Sequence, residues 1–129
     1  MEGERPLGAR TANWTICTVA DSDANRAAGR EICVSVAKQC DLRDDAQRIQ
    51  GASYVLVAAY AAGCPETPKQ PIWLEASVED GRLSLSLFHA KWHKARTARY
   101  LEIQNALVSD FRERFSARAN VRIYDEVIK

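Results

Sequence analysis

The feature that most constrains this chain is Asp80-Gly81, set between two alternating runs, Ile72–Glu79 and Arg82–His89. A two-residue loop of this composition predicts a type I′ turn, because both of its central residues must adopt φ > 0. So short a loop also fixes the register. Val78 then faces Leu83, Ala76 faces Leu85, Leu74 faces Leu87 and Ile72 faces His89 on one side of the ribbon. On the other side Glu79 faces Arg82, Ser77 faces Ser84, Glu75 faces Ser86 and Trp73 faces Phe88. One face is apolar and the other mostly polar. A slip of one residue would mix them, so the pairing is strongly specified.

An apolar ribbon face needs cover, and the residues after the hairpin supply it. Tyr100, Ile103, Leu107, Phe111 and Phe115 recur at spacings of three and four, while Glu102, Asp110, Arg112 and Arg114 lie off that stripe. The pattern predicts an amphipathic helix over about 93–116, laid on the face of Leu74, Leu85 and Leu87. Asn120 suits a left-handed helix stop, and 121–125 reads as a short final strand.

Upstream, the β-branched and aromatic run at 13–20 predicts a strand. Asp21-Ser22-Asp23 offers caps and acidic charge to a helix over about 23–39, with Ala28, Ile32, Val36 and Gln39 near one face. Two features compete with that helix. Gly29 costs about 1 kcal/mol against Ala in a helix interior. Residues 30–37 also suit a strand, and a hairpin centred on Asn25 would set Cys17 opposite Cys33. Asp41 to Asp45 is a polar break, followed by a short helix at 44–50, a turn at Gly51 and a strand at 53–61; the last segment also keeps a helical period. The proline-rich stretch 63–71 is a loop.

The expected fold is therefore α+β: one domain over 12–129, with a mixed or antiparallel sheet and both helices packed on it. Residues 1–11 read as a mobile tail. The chain of 129 residues suits one domain rather than two. No apolar run approaches the roughly 20 residues of a membrane-spanning helix, and the first ten residues lack the apolar stretch of a signal peptide. A cytoplasmic setting is the expectation. Cys17, Cys33, Cys40 and Cys64 contain no Cys-x-x-Cys; they read as free buried thiols, with a Cys40–Cys64 disulfide as the alternative.

Gly51-Ala52-Ser53-Tyr54-Val55-Leu56-Val57, followed by a hairpin and a long helix, resembles the N-terminal domain of TolB-type periplasmic and lipoprotein modules. The resemblance covers 46–115 and implies a non-enzymatic, partner-binding domain. The chain departs from that pattern between Cys40 and Asp44, where the family's second strand has no room.

For function, the most informative stretch is 82–99. From Gly81 to Leu101 there is no acid, whereas Arg82, Lys91, Lys94, Arg96 and Arg99 are cationic; His89, His93 and Trp92 lie among them. Cations at a helix start oppose the macrodipole, a local cost that calls for a compensating anion. Cations with an interleaved aromatic can grip phosphates and stack a base. A solvated helix start is the plain alternative. Lys91, Trp92, His93, Lys94, Arg96, Arg99 and Arg82 are thus candidate binding residues. Trp73 and Phe88 form a candidate partner surface unless the first helix buries them. His89 and His93 have the spacing of a helical zinc pair, but a third ligand is lacking and His89 falls on the apolar face, so no metal or cofactor is expected.

No phosphate-loop, dinucleotide or nucleophile-elbow motif is present. The expected function is a small interaction module, adaptor or inhibitor-like and not an enzyme, that binds a macromolecular partner, most simply a protein. The alternative is binding of nucleic acid or another polyanion through 82–99, which a net charge of +1 disfavours. A small enzyme with a Cys/His site, such as Cys64 with His89, is a third reading.

Overall fold

The hairpin forms as its turn demands. In the computed structural model, which describes residues 14–45, 55–62, 72–89, 97–115 and 120–124, φ is 53° at Asp80 and 74° at Gly81. Strands β4 (Ile72–Glu79) and β5 (Arg82–His89) pair in the expected register, from Glu79 opposite Arg82 to Ile72 opposite His89.

Around that ribbon stands one antiparallel sheet. The N-terminal strand β1 (Trp14–Ala20) pairs with β5 on one side and with β6 (Asn120–Tyr124) on the other. Beyond β4 lies β3 (Val55–Ala62), and then the two-residue edge strand β2 (Arg43–Asp44). The order is β2-β3-β4-β5-β1-β6 with every pair antiparallel, so the mixed alternative is not taken up. A register shift between Leu56 and Ala58 inserts one extra residue into β3. It interrupts the two-residue alternation of the strand and directs Ala58, Tyr60 and Ala62 to the core side.

Helix α1 (Asp23–Cys40) takes Ser22 as its cap, whose hydroxyl accepts from the Asn25 amide at 3.0 Å. It ends at Asp41, in a left-handed conformation with φ 58° and its amide bonded to the Ala37 carbonyl. The strand alternative for 30–37 is thereby excluded. Gln39 is exposed and Cys40 instead completes the buried side. Gly29 is explained by packing. A Cβ at that position would stand 3.0 Å from Leu83 Cδ2 and 3.3 Å from Leu85 Cδ1, so the helix lies too close to the sheet for a side chain there.

Helix α2 (Ala98–Phe115) begins five residues later than its period suggested. Thr97 is its cap: the hydroxyl accepts from the Tyr100 amide at 3.1 Å and the carbonyl from Leu101. The stripe Tyr100, Ile103, Leu107, Phe111 and Phe115 is buried throughout. Both helices cover the same sheet face, and their apolar residues merge with Cys17, Leu74, Leu83, Leu85 and Leu87 in one core.

The result is a single α+β domain. Among the described residues no helix is long and apolar enough to cross a membrane. Arg43-Asp44 form a strand rather than the start of a helix over 44–50. The rest of that segment, the tail 1–11 and the loop 63–71 lie outside the described residues.

Candidate functional site

The candidate site lies where β5 gives way to α2, and the described residues on both sides of it are tied down by long-range bonds. Tyr100 is fully buried and donates its hydroxyl proton to the Leu87 carbonyl at 2.9 Å. Thr15 Oγ1 sits 2.9 Å from Tyr100 Oη and 3.0 Å from Gln104 Oε1; its single proton serves one of them at a time. Thr15 and Gln104 are themselves buried. A satisfied polar network of this kind fixes the start of α2 against β1 and β5, because breaking it would strand polar atoms in the core.

Arg99 adds a second tie, and it resolves the oddity of a cation in the first turn of a helix. Its guanidinium donates to the carbonyls of Cys40 and Asp41, the latter at 3.4 Å, and pairs with Glu102 at 3.0 Å. Those carbonyls close α1. Arg99 therefore stands at the positive end of α2 but also at the negative end of α1, where a cation satisfies otherwise orphaned carbonyl oxygens. Its charge is used internally, so a compensating external anion is not required at this position.

The remaining candidates separate. Lys91, Trp92, His93, Lys94 and Arg96 lie outside the described residues. Arg82 stands next to the hairpin turn, at the far end of β5 from this site. With a strand rise of about 3.3 Å per residue, that places it about 23 Å from His89 along β5. His89 closes β5 opposite Ile72. Trp73 and Phe88 meet with ring centroids 6.0 Å apart and planes tilted by 44°. Phe88 is only 1% exposed, so the expectation of two exposed aromatics fails for it. The cause is not the first helix either, since α1 packs on the opposite sheet face. Trp73 is half-buried and donates its indole N–H to Asp45 Oδ2 at 3.1 Å.

Cys17, Cys33 and Cys40 are free, buried thiols, so Cys40 is not bridged; Cys64 lies outside the described residues. Burial pushes Cys17 and Cys33 up to about 12, and burial likewise raises Cys40. A thiol so shifted stays protonated near neutral pH and is a poor nucleophile. Among the described residues no three His, Cys, Asp or Glu side chains converge as metal ligands do.

Sequence reasoning missed Arg99 as a clasp between two helices. The signal was there in part: a C-terminal Cys40-Asp41 break needs donors, but which distant cation supplies them is set by the fold. No protein-family model, no curated protein and no solved structure matches this chain. The likeness of 46–115 to TolB-type modules therefore has no support from any of these comparisons.

Proposed function

We propose that this protein is a non-enzymatic interaction module that binds an acidic surface of a partner protein through the basic segment 91–96. The observation that carries the reading is the Arg99 clasp. It ties α2 to the end of α1, while Phe88 is locked in the sheet on the other side. In the sequence, Lys91, Trp92, His93, Lys94 and Arg96 lie between these two fixed points. Binding residues are commonly carried on connections held by such a rigid frame. Because Arg99 already answers to α1, the reading rests on the cations that precede Ala98 in the sequence, Lys91, Lys94 and Arg96.

Affinity capture from the native host tests this, with wild type compared against the Lys94→Glu, Arg96→Glu double variant. The expected result is a partner, identified by mass spectrometry, that the variant loses while its circular dichroism and melting temperature match wild type. Equal recovery by both proteins would remove segment 91–96 from the binding site. A gel shift with single-stranded DNA that weakens steeply with salt would instead move the reading to a polyanion.

A further inference from the structure

A second surface, independent of the basic segment, is the outer side of the two helices. Arg99 near the start of α2 meets the end of α1, while Arg114 near the end of α2 pairs with Glu31 in the middle of α1. The helices therefore run antiparallel, side by side, and their outer surfaces form one layer. That layer carries two open depressions. One, of about 570 Å³, is lined by Ala27, Arg30, Glu31, Val34, Ser35 and Lys38. The other, of about 210 Å³, is lined by Glu31, Ile32, Ser35, Asp110, Glu113 and Arg114. They share Glu31 and Ser35, so among the described residues they form one continuous relief that runs from the outer side of α1 into the α1–α2 seam.

The charges on this relief are sorted by helix. Glu31 and Arg114 neutralise one another at the seam. Arg30 and Lys38 then outnumber the exposed Asp23 and leave the α1 side positive, and Asp110 and Glu113 outnumber the exposed Arg112 and leave the α2 side negative. Among the described residues none of Arg30, Lys38, Asp110 and Glu113 has an ion-pair partner. A patch that is positive on one side of a line and negative on the other is complementary to a copy of itself turned over about that line. An isologous two-fold contact has this geometry.

We propose that this helical layer is the contact surface of a homodimer whose two-fold axis runs along the seam. Arg30 and Lys38 of each copy face Asp110 and Glu113 of the other, and Ala27 and Val34 supply apolar contact. The size of the layer agrees. Two helices of 18 residues are each about 27 Å long and pack roughly 10 Å apart, so they present about 500 Å² per copy. The pair buries about 1,000 Å², the lower end of what a specific interface needs. A net charge of +1 sets no appreciable repulsion against bringing two copies together.

Sedimentation equilibrium on the full chain tests the proposal, over roughly 10 to 200 µM, where an interface of this size associates. Wild type is expected to dimerise within that range, more weakly as salt rises. Arg30→Glu with Lys38→Glu should raise the dissociation constant by about tenfold or more, and Asp110→Lys with Glu113→Lys should do the same. Mixing the two charge-reversed proteins in equal amounts should restore association, because each now complements the other. Ser35→Cys, on the seam, should yield a covalent dimer under mild oxidation and serves if a charge variant does not fold. A wild type that stays monomeric, a dimer that neither reversal weakens, a mixture no better than its components, or a Ser35→Cys protein that does not cross-link would each overturn the proposal.

Discussion

Gly29→Ala is the substitution in which local and tertiary physics oppose each other most directly. In an isolated helix it should be favourable by about 1 kcal/mol, since glycine is that much the poorer helix former. Here the added methyl would meet Leu83 Cδ2 at 3.0 Å and Leu85 Cδ1 at 3.3 Å. Both leucines are fully buried and have little space to retreat into. Overpacking a filled core costs about 1–3 kcal/mol, so the net effect should be a loss of up to about 2 kcal/mol. The sign should reverse once room is made. Leu83→Ala alone should cost about 2–5 kcal/mol; adding Gly29→Ala to that background should recover about 1 kcal/mol through helix propensity and a partly filled cavity. Urea unfolding of the four proteins, read at constant slope, measures the cycle. A coupling below about 0.5 kcal/mol, with Gly29→Ala stabilising wild type, would show that the helix does not lie this close to β5.

Tyr100→Phe should cost about 1–3 kcal/mol without changing the fold, because it takes the hydroxyl from the Leu87 carbonyl and from Thr15 in a buried site; an unchanged urea midpoint would show that the network contributes nothing. The thiols give a pH dependence. Cys17 and Cys33 rise from 9.0 to about 12 on folding, so the unfolded chain releases their protons first. Their contribution is complete below about pH 9 and lost between pH 9 and 12. Stability of Cys33→Ala should therefore fall less steeply than that of wild type above pH 9, and parallel curves would refute the assignment.

The candidate site was legible only in part. The acid-free run from Gly81 to Leu101 is plain in the sequence, and reading it as one unit was natural because its residues are neighbours along the chain. Folding divides it. An extended β5 carries Arg82 to the opposite end of a strand, Phe88 turns into a buried sheet face, and Arg99 spends its charge on carbonyls 58 and 59 residues away. Distance along an extended strand and pairing across the fold are both invisible to a local charge pattern.

What the sequence determined by itself rests on local geometry. A two-residue Asp-Gly loop dictated the turn and the register of β4 against β5, since only that alignment keeps the two faces unmixed. A period of three and four dictated the buried stripe of α2, and Ser22 dictated where α1 starts. Only the tertiary structure decided that β1 enters between β5 and β6, that Gly29 marks a close approach rather than a weak helix, and that Arg99 clasps the end of α1. Each of these depends on which distant surfaces meet. Thr15 finds Tyr100 85 residues later, and a contact of that span is selected by the packing of the whole core, not by any pattern in the residues beside it.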